Sequence, residues 1–215
     1  MKRLAAFVIF GSMAVGGAWA QSDAAVENAA AGAGKIITCA ACHGQDGKSM
    51  SPLYPSIGGQ NYRYLLSQMR AMKAHGQDPD ALGNRSPGLM VGQLAVFSDQ
   101  DLQDIAAHYA NQTPHVGEAV EEKAIRGEAI YRGGILEKQV AACTACHSPR
   151  GAGNRPAGFP RLSGQTVDYT VQQLKAYREG ERTTDEEYGG MMRQIAARLT
   201  DTEMEAVAQY LHGLH

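Results

Sequence analysis

Cys39-Ala-Ala-Cys42-His43 and, 104 residues further on, Cys143-Thr-Ala-Cys146-His147 are two copies of one arrangement. In each, a pair of thiols three positions apart is followed directly by an imidazole. Covalent haem attachment needs that set, because the thiols form thioethers with the vinyl groups of the macrocycle while the histidine reaches the iron from one face. All four cysteines of the chain fall in these copies, leaving no thiol for a disulfide framework or a separate reactive site. A four-thiolate zinc site is the competing reading of two Cys-x-x-Cys pairs. It fits poorly with pairs this far apart, and it gives no role to the histidine that follows each one. Dithiol redox chemistry fits worse, since no strand and helix of the thioredoxin kind surround either pair. Two covalently bound haem c groups are therefore expected, one on Cys39 and Cys42 and one on Cys143 and Cys146, with His43 and His147 as axial ligands of the iron.

The rest of the chain repeats with the motifs. Gly59, Gln60, Tyr64, Gln68, Met69 and Met72 correspond to Gly164, Gln165, Tyr169, Gln173, Leu174 and Tyr177 at a constant offset of 105. From Gln60 onward their spacings of four, four, one and three trace one face of a helix. Ser98-Asp-Gln-Asp101 and Thr200-Asp-Thr-Glu203 each have the pattern of a capped helix start. Behind them Leu102, Ile105, Ala106 and Tyr109, and Met204, Val207, Ala208 and Leu211, form apolar stripes. Helical patterns also precede the thiol pairs, over 22–38 with Val26, Ala29, Ala30, Ala33 and Ile37 as its stripe, and from Glu118 to Tyr131. Gly34, aligned with Gly127, is expected to let another helix come close. Loops rich in Gly, Pro and Ser follow each histidine, 44–59 and 148–164, and wrapping a prosthetic group explains their length. Pro55 and Pro160 stand in these loops, where a prolyl carbonyl can fix the second imidazole nitrogen, although proline also serves as an ordinary turn residue. Strand-like alternation is absent. The expected fold class is all-α, two tandem helical domains each wrapped round a covalent haem.

Two domains of one kind put the second axial ligand at the same place. Met69, Met72, Met191 and Met204 face Leu174, Tyr177, Leu89 and Leu102 in the other copy, as interchangeable core residues do. Met90 and Met192 coincide. Each lies eight residues before its capping Ser98 or Thr200, and they lie 47 and 45 residues after His43 and His147. A methionine on an apolar stretch is more often packing than a ligand, but this shared pair makes Met90 and Met192 the expected second ligands. His108 faces Tyr210, and His75, His115, His212 and His215 have no counterpart, so ligation by two histidines is disfavoured and all five are expected on exposed or helix surfaces.

Lys2 and Arg3, an apolar run from Leu4 to Val15, and Ala18-Trp19-Ala20 have the form of a secretory signal, so residues 1–20 are expected to be cleaved. That run is short for a bilayer span. The formal charge of −2 becomes −4 without Lys2 and Arg3, which excludes a nucleic-acid binder of the basic-patch kind. Asn111 to Gly117, containing Pro114, reads as a linker between domains 21–114 and 115–215. Lys138, Arg150, Arg155, Arg161, Lys175 and Arg178 are opposed over their span by Asp168 alone. A solvated face with haem carboxylates as counter-charge is expected there, with steering of an acidic redox partner as the alternative.

In Cys39-Ala-Ala-Cys-His-Gly44, Gly59-Gln60 with Tyr64-Leu-Leu66, Ser98-Asp-Gln-Asp-Leu102 through Asp104-Ile-Ala-Ala107, Cys143-Thr-Ala-Cys-His147, Phe159-Pro-Arg-Leu162 with Gly164-Gln165, and Tyr210-Leu-His-Gly-Leu-His215, the sequence resembles the dihaem cytochromes c of the c-four type. The likeness runs from about residue 30 to His215. It implies two class I cytochrome c domains related by a pseudo-twofold axis, each haem held by histidine and methionine. The implied role is that of a soluble periplasmic electron carrier between respiratory-chain partners, delivering toward a terminal oxidase, and not an enzyme. Dihaem subunits of dehydrogenases, such as a sulfide-oxidising flavocytochrome, look similar. A dihaem peroxidase would need one iron to open a coordination site, whereas both copies offer histidine and methionine.

Overall fold

The computed structural model describes residues 29–215 except 82, 84, 86 and 87. The expected signal segment 1–20 and the stripe residue Val26 lie outside the described residues. In the first half the helices are α1 (Ala29–Ala33), α2 (Ile37–His43), α3 (Tyr62–His75), α4 (Leu89–Leu94) and α5 (Asp99–Ala110). In the second they are α6 (Glu121–Gly133), α7 (Thr144–His147), α8 (Val167–Glu179), α9 (Met191–Ala196) and α10 (Asp201–Gly213). Among the described residues there are isolated bridges but no strands, so the fold is all-α.

One packing plan occurs twice. Helix α5 packs on α1 and α3, with α4 also on α3; α10 packs on α6 and α8, with α9 also on α8. Each plan has its own core. Ile36, Leu65, Leu66, Met69, Met72, Leu94, Leu102, Ile105 and Tyr109 form the first, and Ile130, Tyr131, Ile135, Tyr177, Leu199, Met204, Val207 and Leu211 belong to the second. The apolar stripes behind Ser98 and Thr200 are thus the faces that α5 and α10 bury. Both helix starts close reciprocally: Asp101 N donates to Ser98 Oγ (3.2 Å) and Ser98 N to Asp101 Oδ2 (2.9 Å). Glu203 N likewise donates to Thr200 Oγ1 (3.3 Å) and Thr200 N to Glu203 Oε2 (2.9 Å). Such a cap contributes about 1 kcal/mol.

The close helix crossing lies at Gly127 and Gly32, not at Gly34. A Cβ on Gly127 would overlap the carbonyl of Ala206 in α10, and one on Gly32 the carbonyl of Asp104 in α5, whereas Gly34 has open space around it. The register differs because α6 is continuous, while the first half breaks between α1 and α2 before the buried Ile36. Three of the six clustered basic residues are neutralised by the C-terminal helix rather than standing as a solvated face. Lys138 pairs with Glu203 (2.8 Å), and Lys175 (2.7 Å) and Arg178 (2.6 Å) pair with Asp201.

Candidate functional site

Both thiol motifs lie where a helix ends in a loop. His43 and His147 are the last residues of α2 and α7, and both are buried. The loops behind them fold alike: Ile57 N donates to Gly47 O (2.7 Å) and Leu162 N to Gly151 O (2.7 Å). This fold of the loop brings a prolyl carbonyl to each ring. His43 Nδ1 lies 2.9 Å from Pro55 O and His147 Nδ1 3.1 Å from Pro160 O. A carbonyl only accepts, so Nδ1 carries the proton and Nε2 keeps the free lone pair that a metal takes. Burial holds both imidazoles below the ordinary histidine value, with the carbonyl bond opposing it, and the rings are therefore neutral. Burial also raises the Cys39 thiol, and pushes that of Cys143 up to about 11. Neither has the lowered pKa of a dithiol nucleophile.

One apolar-walled cavity of about 1580 Å³ runs between the two halves. A usual single-ligand pocket holds about 300–1,000 Å³. Cys39, Cys42, His43 and Met90 line it from the first half, and His147 and Met192 from the second. Cys143 and Cys146 are not on its wall; Cys143 packs against the second core together with Met192, as Cys39 and Met90 do against the first. His43 and His147 are the cavity's histidines. Of the other five, His212 is no mere surface residue: its Nδ1 meets Gln165 O at 2.9 Å and its ring lies 6.2 Å from that of His115. Met69 and Met72 are buried core residues as expected, but Met191 is 41% exposed beside Met192. Among the described residues no group of three or more His, Cys, Asp or Glu side chains is placed to hold a metal ion, and the two thiol pairs belong to separate cores, so a four-thiolate zinc site is not built. Thiols, neutral imidazoles and an apolar cavity of this size do fit haem, held by residues of both halves.

Sequence reasoning missed how the halves are joined. Gln60 Nε2 donates to Arg161 O (2.8 Å) and its Oε1 accepts from Arg161 N (2.7 Å). Gln165 does the same to Ser56 in the other direction, with Nε2 to O and N to Oε1 both at 2.9 Å. Ser56 and Arg161 each follow the proline that holds a histidine, so each half braces the other's histidine loop. The paired Gly-Gln motif marks the glutamine side of these contacts but not their backbone partners. Arg85 and Arg182, buried between the halves, went unnoticed because the spacing from arginine to methionine differs between the copies.

Two helical domains, each turning the histidine of a Cys-x-x-Cys-His motif into one shared apolar cavity and bracing the other through a glutamine, define a dihaem cytochrome of the c type. The cytochrome c family profile matches residues 29–112 and again 126–215. Cytochrome c4 of Azotobacter vinelandii is 48% identical over 193 residues, covering 89% of this chain and 91% of that protein. The crystal structure of reduced recombinant cytochrome c4 from Pseudomonas stutzeri superposes with a TM-score of 0.84 at 46% identity, covering 87% of this chain and 98% of that one. A thiosulfate dehydrogenase electron acceptor of Thiomonas intermedia is 33% identical over 181 residues, covering 82% of this chain and 78% of that protein. The chain belongs to the cytochrome c4 family, and it carries two covalently bound haem c groups and transfers electrons.

Proposed function

We propose that this chain is an exported electron carrier of the periplasm, passing electrons between respiratory redox proteins toward a terminal oxidase. In this reading residues 1–20 are a cleaved signal, Cys39 and Cys42 bind one haem and Cys143 and Cys146 the other, and the iron ligands are His43 with Met90 and His147 with Met192. The observation that carries it is that each half turns one histidine, fixed at Nδ1 by a prolyl carbonyl, and one repeat-matched methionine toward the same apolar cavity. Domains of 21–114 and 115–215 are supported by the linker. Thr113 and Pro114 contact Gly58 and Gly59 of the first half, while His115 and Gly117 contact Gly164 and His212 of the second. Among the described residues no helix is long and apolar enough to cross a membrane.

Bound haem supplies a one-electron ferric/ferrous couple. The chain's own residues set its conditions. The prolyl carbonyls fix the imidazole rings, so little rearranges when the charge changes. A methionine sulfur is a soft ligand that favours the ferrous state and raises the potential. With His43 and Met90 holding one haem and His147 and Met192 the other, neither site would keep room for a substrate, which is the reason to read a carrier and not an enzyme. Redox titration of the holoprotein with its visible and near-infrared spectra tests this: two covalent haems, each with sulfur-to-iron charge transfer and slow cyanide binding, are expected. Rapid cyanide or peroxide binding by the untreated protein would overturn it in favour of a peroxidase.

A second reading is favoured by the relative that is an electron acceptor of thiosulfate dehydrogenase. Here the chain serves as dihaem subunit or immediate acceptor of a dehydrogenase acting on reduced sulfur, a sulfide-oxidising flavocytochrome being one form. Co-purification with a flavoprotein or another dehydrogenase subunit decides for it.

A further inference from the structure

Arg85 and Arg182 are 8% and 4% exposed, and they pair as an antiparallel bridge that joins the halves. Their guanidinium groups interlock. Arg85 donates to Gln68 Oε1 (3.0 Å) of its own half and to Tyr169 Oη (2.6 Å) and Gln173 Oε1 (2.7 Å) of the other. Arg182 donates to Gln173 Oε1 (2.8 Å) of its own half and to Tyr64 Oη (2.8 Å) and Gln68 Oε1 (2.8 Å) of the other. Arg182 also lies over the Tyr177 ring, 4.5 Å from its centroid. Every one of these partners is neutral, and among the described residues neither arginine forms an ion pair with a carboxylate, whereas Lys138, Arg178 and Arg193 of the second half do. Two like charges have been buried side by side without a counter-charge. Such an arrangement is costly unless an anion meets it. Both arginines, with the four tyrosine and glutamine side chains that hold them, line the cavity between the halves. Haem groups held in this cavity would bring their carboxylates to it as the anions.

We propose that Arg85 and Arg182 are a counter-charge shared by both haem groups, holding their carboxylates and favouring the ferrous state of both irons. The proposal rests on the carrier reading above. A reduced haem is one unit more negative than an oxidised one, and a fixed cation in a low-dielectric wall therefore favours reduction. Because Gln68 Oε1 and Gln173 Oε1 each accept from both arginines, a change in either guanidinium is felt in both halves.

The test is potentiometric titration of the holoprotein, resolving its two reduction steps, for Arg85→Gln, Arg182→Gln and Gln68→Glu. The last variant keeps both arginines and sets a carboxylate between them, so it reports even where an arginine variant fails to fold. Each variant is expected to lower both potentials, with a roughly tenfold weaker ferrous preference, or 59 mV for a one-electron couple. Arg182→Lys, which restores the charge without the fork, is expected to recover most of that loss. A shift of one potential only would overturn the sharing. Unchanged potentials in Gln68→Glu, or in arginine variants whose melting temperature alone falls, would reduce the pair to a structural clasp. Haem count and the sulfur-to-iron band of the unsubstituted protein report on the carrier reading separately: if that band is present while the potentials stay put, only this inference fails.

Discussion

Replacing Gln60 by alanine should loosen the histidine loop of the opposite half. Gln60 is 7% exposed, and its amide makes three hydrogen bonds, to Asn61 N (2.8 Å), Arg161 N (2.7 Å) and Arg161 O (2.8 Å). The last two cross between the halves. At about 1 kcal/mol net for each bond, Gln60→Ala should cost the loop about 2 kcal/mol of local stability. By the usual relation of about 1.4 kcal/mol per decade, amide exchange at Arg161 should quicken roughly 30-fold if it proceeds through local opening. Hydrogen-exchange mass spectrometry of the holoprotein reads this directly. Peptides within 151–166 should lose protection, while those within 44–59, which belong to the mutated half, keep theirs. The reciprocal change, Gln165→Ala, should speed exchange at Ser56 and spare Arg161. Lost protection confined to the mutated half, or none in either loop, would refute the bracing of one histidine loop by the other domain.

Gly127→Ala should destabilise despite the better helix propensity of alanine, because about 1–3 kcal/mol of overpacking against Ala206 outweighs a gain of about 1 kcal/mol, whereas Gly34→Ala should lose nothing; thermal melts compare the two. Tyr131→Phe removes a 2.6 Å hydrogen bond to Ser148 O and should cost about 1 kcal/mol in denaturant, more than Tyr109→Phe, whose bond to Gly44 O is 3.5 Å long. Burial raises the pKa of Glu203, but the hydrogen bonds from Lys138 and Thr200 outweigh it and hold the carboxyl below its ordinary 4.5. Its stabilisation is therefore complete above that pH and is lost as pH falls through the lower folded value; Glu203→Gln should lower the melting temperature at pH 7 and flatten its decline below about pH 4.5.

What was legible in the sequence was whatever a local pattern encodes. Ser98 and Thr200 announce α5 and α10 through bonds made within four residues, and the stripes behind them are the buried faces. The thiol motifs and the prolines after them likewise fix a helix end and a loop over a dozen residues. Contacts between the halves were not legible, since Gln60 meets Arg161 and Gln165 meets Ser56 across more than 100 residues and through backbone atoms that carry no residue signature. Arg85 and Arg182 were hidden by loop length: they stand five and ten residues before Met90 and Met192, so an alignment anchored on the methionines never pairs them. The break between α1 and α2 shifted the glycine register in the same way. Met191 shows the reverse limit, since facing Leu89 in the repeat placed it among core residues although both positions are exposed.

The claim on which the account turns is that Met90 and Met192, and no other methionines, complete the two haem sites. Near-infrared absorption of the ferric holoprotein tests it most directly, through the sulfur-to-iron charge-transfer band of Met90→Ala, Met192→Ala and the exposed neighbour Met191→Ala. Each of the first two should remove about half of the band and lower one potential while sparing the other, and Met191→Ala should leave the band whole. A band lost in Met191→Ala but kept in Met192→Ala would put the repeat out of register by one residue in the second half. A band untouched by both Met90→Ala and Met192→Ala would contradict the ligand assignment, and with it the reading of two closed, electron-carrying sites.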